Sequence, residues 1–190
     1  MTSSPTERAL LFDLDGTLVD TAELNFRCYR DSLSDVGVVL TRAVYDTHLG
    51  GHWRTFLGEW AGSDDADLLE RLHRRKQALY ATRLDMVRIN APLAQLLTQA
   101  RPWWRTGLVT SASRANVLPL LTHFGWSEAF DAIVTGDDFS APKPDPDGYL
   151  RCLRMLGCQA ALSLAFEDSP IGIAAARAAG LTVLGVLGFP

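Results

Sequence analysis

Two carboxylates one residue apart, Asp13 and Asp15, close the short apolar run Ala9-Leu10-Leu11-Phe12. In an extended chain both project to one side while Leu14 faces the other. Carboxylates this close repel unless a cation or a shared proton relieves them; a surface turn, where Asp and Gly are common, is the plainer alternative. A second acidic pair, Glu167-Asp168, ends another apolar run at Phe166. Brought together, the two ends make an oxygen cluster of the hardness and charge that Mg²⁺ prefers, with waters and a substrate phosphate completing its coordination. A third run ends in Val109-Thr110-Ser111-Ala112-Ser113, which offers hydroxyl and backbone donors to an oxyanion. Lys143, one of only two lysines, is set between Pro142 and Pro144. Those prolines restrict the backbone and pre-orient the side chain, a setting a solvated lysine does not need.

These residues require elements that bring them to one place. The runs at Ala9 to Phe12, Thr106 to Thr110, Ala132 to Val134, Leu162 to Phe166 and Thr182 to Val186 read as buried strands of a parallel sheet. Between them, Asn116 to Phe124, Gly148 to Leu156 and Gly172 to Ala179 carry apolar residues at helical spacing, the last before Gly180, a natural C-cap. Strands alternating with helices predict an α/β, doubly wound, mainly parallel sheet, with ligands bound beyond the strands' C-terminal ends.

Roughly ninety residues separate the first two strands, far beyond an ordinary linker. Within them Thr21 to Val36, Arg42 to Leu49, His52 to Ala61 and Asp64 to Arg83 read as amphipathic helices, and Ala91 to Gln99 as the helix returning to the sheet. The expected organisation is a core of residues 1–18 and 89–190 with an inserted helical subdomain over 19–88. Gly50-Gly51 reads as a turn or flexible point.

Composition narrows the function classes. The chain has 190 residues with 18 basic and 22 acidic side chains, a formal charge of −4. Such mild acidity gives no bulk attraction to nucleic acid or to an anionic membrane. Any phosphate must then be held by a few placed groups. Cys28, Cys152 and Cys158 form neither a paired framework nor a zinc pattern, and read as reduced thiols of a cytoplasmic protein. Neither a secretory signal nor an apolar stretch of membrane-spanning length is visible. No motif specifies an oligomeric state.

Four ordered segments, LLFDLDGTLVDT, TGLVTSAS, APKPDP and FEDSPIG, resemble the motifs of the haloacid dehalogenase superfamily over nearly the whole chain. That superfamily has a Rossmann-like core, and the helical insertion resembles the cap of its phosphoglycolate phosphatase and β-phosphoglucomutase branch. The resemblance implies an Mg²⁺-dependent phosphatase in which Asp13 is the nucleophile, forming an aspartyl-phosphate. It implies that Asp15 is the general acid and then base, its backbone carbonyl binding Mg²⁺. Ser111 and the Ala112 amide would hold a phosphoryl oxygen, and Lys143 would neutralise charge on nucleophile and phosphate. Asp168 would ligate the metal together with Asp13, with Glu167 a direct or water-mediated ligand. The implied partner is a small-molecule phosphate ester.

The branch is narrowed by departures. Asp15 argues against dehalogenation, since a halide leaving group needs no proton. The cap's one lysine, Lys76, lies in Arg74-Arg75-Lys76-Gln77 and reads as a solvated helix face rather than an imine-forming nucleophile. Mutases of the branch carry a histidine four residues beyond the Thr at 21, where this chain has Asn25, and Asn cannot take up a proton. That favours a phosphatase of a sugar phosphate or phosphoglycolate type over a mutase. Against it, Leu49-Gly50-Gly51-His52-Trp53-Arg54 resembles the mutase cap loop, with Arg54 placed to grip a distal phosphate. His52 and Trp53 are open between facing substrate and covering the junction of the two parts. His48, His73 and His123 read as ordinary surface or core residues. Trp103-Trp104 is expected to pack at the subdomain boundary, and Arg114 is open between a phosphate contact and a surface position. A sugar-phosphate mutase and a non-catalytic binding protein that kept the fold are the alternatives. The sequence ends at Gly188-Phe189-Pro190, where family members usually continue with a further strand and helix, so an exposed sheet edge is expected.

Overall fold

Ala9 to Phe12 has no polar side chain and is buried along its whole length, as a strand covered on both faces must be. It is the central strand of the sheet in the computed structural model, which describes residues 7–47 and 53–189. In chain order the first elements are β1 (Ala9–Phe12), β2 (Val19–Asp20), α1 (Ala22–Ser34), α2 (Arg42–Asp46), α3 (Trp53–Ala61), α4 (Ala66–Ala81), β3 (Arg88–Ile89) and α5 (Ala91–Ala100). They are followed by β4 (Arg105–Val109), α6 (Arg114–His123), β5 (Ala132–Val134), α7 (Asp147–Leu156), β6 (Leu164–Glu167), α8 (Pro170–Ala178) and β7 (Thr182–Gly185).

The chain divides into two compact units, one of residues up to Thr21 and from Arg88 onward, the other Ala22–Val87. In the first, a five-stranded parallel sheet has the order β5-β4-β1-β6-β7. Its register sets Phe12 opposite both Leu108 and Phe166, so the residues just beyond these positions emerge side by side. One face of the sheet packs through Leu11, Val109, Val134 and Ala165 onto Tyr149, Cys152 and Ala175. The helix α7 lies close enough to β4 that a Cβ at Gly107 would stand 2.5 Å from Cys152 Sγ. Helix α5 starts at Asn90, whose side chain caps Leu93 N and donates to the Thr17 carbonyl.

Two differences from the sequence reading concern this unit. The expected strand from Leu162 begins at Leu164, because Ala160–Leu162 turns as a 3₁₀ helix. The two-residue strands β2 and β3 pair antiparallel, with Val19 opposite Ile89 and Asp20 opposite Arg88. That pairing keeps residues 19–21 and 88 with the sheet. Just before β4, Trp103 is 64% exposed and Trp104 lies under the Arg8 guanidinium.

The second unit buries Tyr29, Leu33, Leu40, Tyr45, Leu57, Leu69 and Leu72 among α1 to α4. Asp65 caps α4 by accepting from Asp67 N and Leu68 N. Lys76 corrects the sequence reading. It is only 2% exposed, its ammonium lying 5.0 Å from the Tyr29 ring centre and 4.6 Å from that of Tyr80. The reason is helical phase: Leu69, Leu72 and Leu79 stand seven and four residues before it and three after, on the stripe that faces α1. Among the described residues no helix is long and apolar enough to cross a membrane. The glycine pair at 50–51, His48 and His52 lie outside the described residues.

Candidate active site

The parallel register delivers Asp13 directly after β1, with its amide donating to the Phe166 carbonyl (3.0 Å). Leu14 turns into the core, and Leu18 and Val19 both donate to its carbonyl, folding the segment into a tight loop. Gly16 is required within that loop. It has φ +90°, and a Cβ there would lie 2.1 Å from Asp168 Oδ2. Thr17, also buried, donates its hydroxyl to Asp168 Oδ1 at 3.2 Å. The Asp15 carboxylate accepts a short hydrogen bond from the Thr21 hydroxyl.

Lys143 reaches this point from the segment after β5. Its ammonium donates to Asp13 Oδ1 (2.6 Å), Glu167 Oε1 (2.5 Å) and the Val109 carbonyl (3.2 Å). An ammonium has three donors, and all three are engaged. Glu167 is equally committed. Oε1 also accepts from the Tyr149 hydroxyl (2.9 Å), and Oε2 from the amide and hydroxyl of Ser169 (3.2 and 3.1 Å). Its carboxylate lies over the first turn of α8, where a Cβ at Gly172 would stand 1.8 Å from Oε1. The helix N-terminus and the glycine gap together hold a buried anion there.

Burial sets the electrostatics of the group. It pushes Asp13 up to about 7; Lys143 pulls it back down, and Glu167 and Asp15 add to the rise. Burial works to lower Lys143, but Asp13 and Glu167 outweigh it and hold the ammonium above its ordinary value. Burial, then the charge of Glu167, raises Tyr149 well above the phenol range, so it stays a donor. Asp168 is raised by partial burial and by Glu167.

Asp13, Glu167 and Asp168 each offer an oxygen within 4.8 Å of the others. Asp13 and Asp168 of this set suit a hard divalent cation, while the Glu167 carboxylate is already engaged by four donors. The missing Cβ at Gly16 leaves the space that the Asp168 carboxylate occupies. The carboxylate of Asp15 is not in that group. Ser111 is exposed at the end of β4, and the Ala112 amide donates to Thr110 Oγ1 (3.0 Å). The loop after β5 props this segment: Gly136 donates to the Ala112 carbonyl (2.9 Å), and a Cβ on it would lie 2.4 Å from the Ser111 carbonyl oxygen. Asp137 accepts from the Arg114 amide (2.7 Å), and Asp138 accepts from the Arg114 guanidinium (2.6 Å) and from Thr135.

Asp13, Lys143, Glu167 and Asp168 are thus brought together. Arg54 belongs to the helical unit, where its guanidinium pairs with Glu70 (3.3 Å) and lies 4.6 Å from the Trp53 ring centre; that ring stacks on His73. The sequence reading missed Thr17, Thr21, Tyr149 and Asp138. Thr17 and Thr21 sit inside the first motif and could have been found there. Tyr149 stands six residues after Lys143 in the first turn of α7, a position marked by no local signal.

Fold and site together define a Rossmann-like α/β hydrolase whose acidic strand ends surround a buried lysine. The family described as haloacid dehalogenase-like hydrolase matches residues 10–186, and the chain belongs to it. The protein is an enzyme of that hydrolase family. It is 34% identical over 193 residues to the protein CbbY of Rhodobacter capsulatus, covering 93% of this chain and 84% of that one. It is 30% identical over 179 residues to the fructose-1-phosphate phosphatase YqaB of Escherichia coli, covering 93% and 95%. The crystal structure of a CbbY variant from Rhodobacter sphaeroides in complex with xylulose-1,5-bisphosphate superposes with a TM-score of 0.85 at 29% identity, covering 97% of this chain and 87% of that one.

Proposed function

We propose that the protein is an Mg²⁺-dependent phosphoric monoester hydrolase acting on a small phosphorylated metabolite of sugar phosphate or phosphoglycolate type, through an aspartyl-phosphate on Asp13. The observation that carries this reading is the contact of Lys143 with Asp13 at the end of β1 (2.6 Å), two residues before a second aspartate. A lysine so placed favours the ionised form of a carboxylate that burial pushes the other way, and screens its charge from an approaching phosphate. Fructose-1-phosphate phosphatase among the relatives, and a bound sugar bisphosphate in a structural neighbour, support the substrate class.

In this reading an Asp13 oxygen attacks phosphorus, the bond from phosphorus to the ester oxygen breaks, and Asp15 gives that oxygen its proton. Water then attacks phosphorus, Asp15 takes the water's proton, and the bond from Asp13 to phosphorus breaks, releasing phosphate. The Ser111 hydroxyl and Ala112 amide hold a phosphoryl oxygen, the amide exchanging Thr110 for it. Arg54 is assigned to the distal end of the substrate by family resemblance. Asp13, Asp168 and the Asp15 carbonyl would hold Mg²⁺, which when bound offsets the repulsion between an anionic nucleophile and an anionic ester. Glu167, with four donors already on its carboxylate, holds Lys143 in place beside them. Cys28, Cys152 and Cys158, none of them in a disulfide among the described residues, accord with a cytoplasmic location.

The test is phosphate release, with and without Mg²⁺, from a panel of sugar phosphates, phosphoglycolate and nucleoside monophosphates, with Asp13→Asn as control. Metal-dependent release by the native chain and none by the variant is expected. Release from no ester in the panel overturns the reading.

A further inference from the structure

Tyr149 is fully buried in the first turn of α7, where its ring packs against the sheet in the apolar cluster that contains Val109, Val134 and Ala165. Packing alone would be served by phenylalanine. A hydroxyl taken out of water is costly unless it is hydrogen-bonded. Here it is bonded, at 2.9 Å, to Glu167 Oε1, the same oxygen that takes Lys143 at 2.5 Å. The Lys143 ammonium also lies 5.3 Å from the centre of the Tyr149 ring.

Two donors on Oε1 and two on Oε2 fill the acceptor sites of the Glu167 carboxylate and fix its rotation. The position of Oε1 in turn fixes one of the three bonds that aim Lys143 at Asp13. We propose that the Tyr149 hydroxyl is a positioning group for the nucleophile: by holding Glu167 Oε1 it orients Lys143 against Asp13. This rests on the phosphatase reading for its catalytic consequence, but not for its structural one. Tyr149 touches neither Asp13 nor a phosphate in this account. Its effect passes through two intervening side chains.

Tyr149→Phe removes only the hydroxyl. Because the chain has two lysines, Lys143 and Lys76, protein labelled with ¹³C and ¹⁵N at the lysine side-chain termini gives two sets of signals by NMR. Lys76 belongs to the other unit and serves as an internal reference. Expected in the variant are a displaced Lys143 signal, an unmoved Lys76 signal, and a kcat about tenfold lower with KM within about twofold, as for the loss of one hydrogen bond to a charged group. Leu153→Ala, a truncation in the same helix, is expected to lower the melting temperature and leave kcat and the Lys143 signal in place. Where Tyr149→Phe does not fold, difluorotyrosine at 149, whose hydroxyl is a more acidic and stronger donor, is followed by the same two measurements, with a shifted Lys143 signal and an altered kcat expected. An unmoved Lys143 signal, or an unchanged kcat in a variant of an active enzyme, overturns the inference. If the native chain releases no phosphate, the function proposed above falls instead, and the lysine signals alone decide whether Tyr149 positions Lys143.

Discussion

Lys143 Nζ stands 2.6 Å from Asp13 Oδ1 although 130 residues separate them in the chain. Both side chains are buried, and so is Glu167, the lysine's other carboxylate partner. Ion pairs of this kind contribute little net stability, because desolvation offsets their attraction, but removing one member strands the others. Lys143→Met should therefore cost about 3–5 kcal/mol of folding free energy at neutral pH. It should also lower phosphate release by about a hundredfold or more, as for other lost charge-stabilising groups. Chemical denaturation and steady-state rates measure the two effects. A variant as stable as the native chain would contradict the burial argument.

The raised Asp13 makes a signed prediction for the metal-free protein. Its carboxyl is held near about 7 in the fold against an ordinary 3.8, chiefly by burial. Between those values the folded state binds the proton more tightly than the unfolded chain, so this group's contribution to stability falls as pH rises through the window. Asp13→Asn removes that dependence. In chelator, the stability of the variant relative to the native chain should increase from about pH 5 to about pH 8. Thermal melts across that range would refute this by giving a constant difference.

The sheet and the core of the site were legible because each strand is an apolar run that ends in the residues with chemistry. The register then needs only parallel pairing to set Asp13 between Val109 and Glu167. What escaped notice had physical reasons. Strands β2 and β3 are two residues each, too short for any periodicity to show. Lys76 was hidden by Arg74 and Arg75 beside it, although Leu69, Leu72 and Leu79 already placed it on the buried stripe of α4. The Tyr149 bond to Glu167 joins a helix to a strand, and no local pattern encodes a contact between different elements. Arg54 pairs with Glu70 and lies over the Trp53 ring, both in the helical unit, and neither contact could be read from the spacing of the cap residues.

Gly172 separates helix propensity from space. In an ordinary helix position Gly→Ala stabilises by about 1 kcal/mol. Here the added methyl would meet the Glu167 carboxylate at 1.8 Å, and that carboxylate is tied to Lys143, Tyr149 and Ser169. Gly172→Ala should reverse the usual sign, destabilising by about 1–3 kcal/mol as overpacking does, and should displace Lys143 with loss of most activity. A stabilised, active Gly172→Ala would show that the Glu167 carboxylate is not held against α8 as described.

Asp138 tests how the Ser111-Ala112-Ser113 loop, the proposed phosphate site, is held. Partial burial works to raise its carboxyl, but the amide and hydroxyl of Thr135 and the Arg114 guanidinium outweigh it, leaving it below its ordinary value. A carboxyl lowered in the fold adds stability above its unfolded value of 3.8 and loses it as pH falls through the lower folded value. Asp138→Asn should cost about 1 kcal/mol at neutral pH, discounted for partial exposure, and progressively less in acid. It should also slacken Arg114 at the start of α6, one residue beyond the Ser111-Ala112-Ser113 loop. The expected kinetic result is a KM raised several-fold with kcat nearly retained, since in the proposed mechanism the loop holds phosphate before and during reaction alike. Titration with inorganic phosphate as a competitive inhibitor checks the same point: the inhibition constant should rise with KM, and an unchanged constant would detach Asp138 from the loop's function.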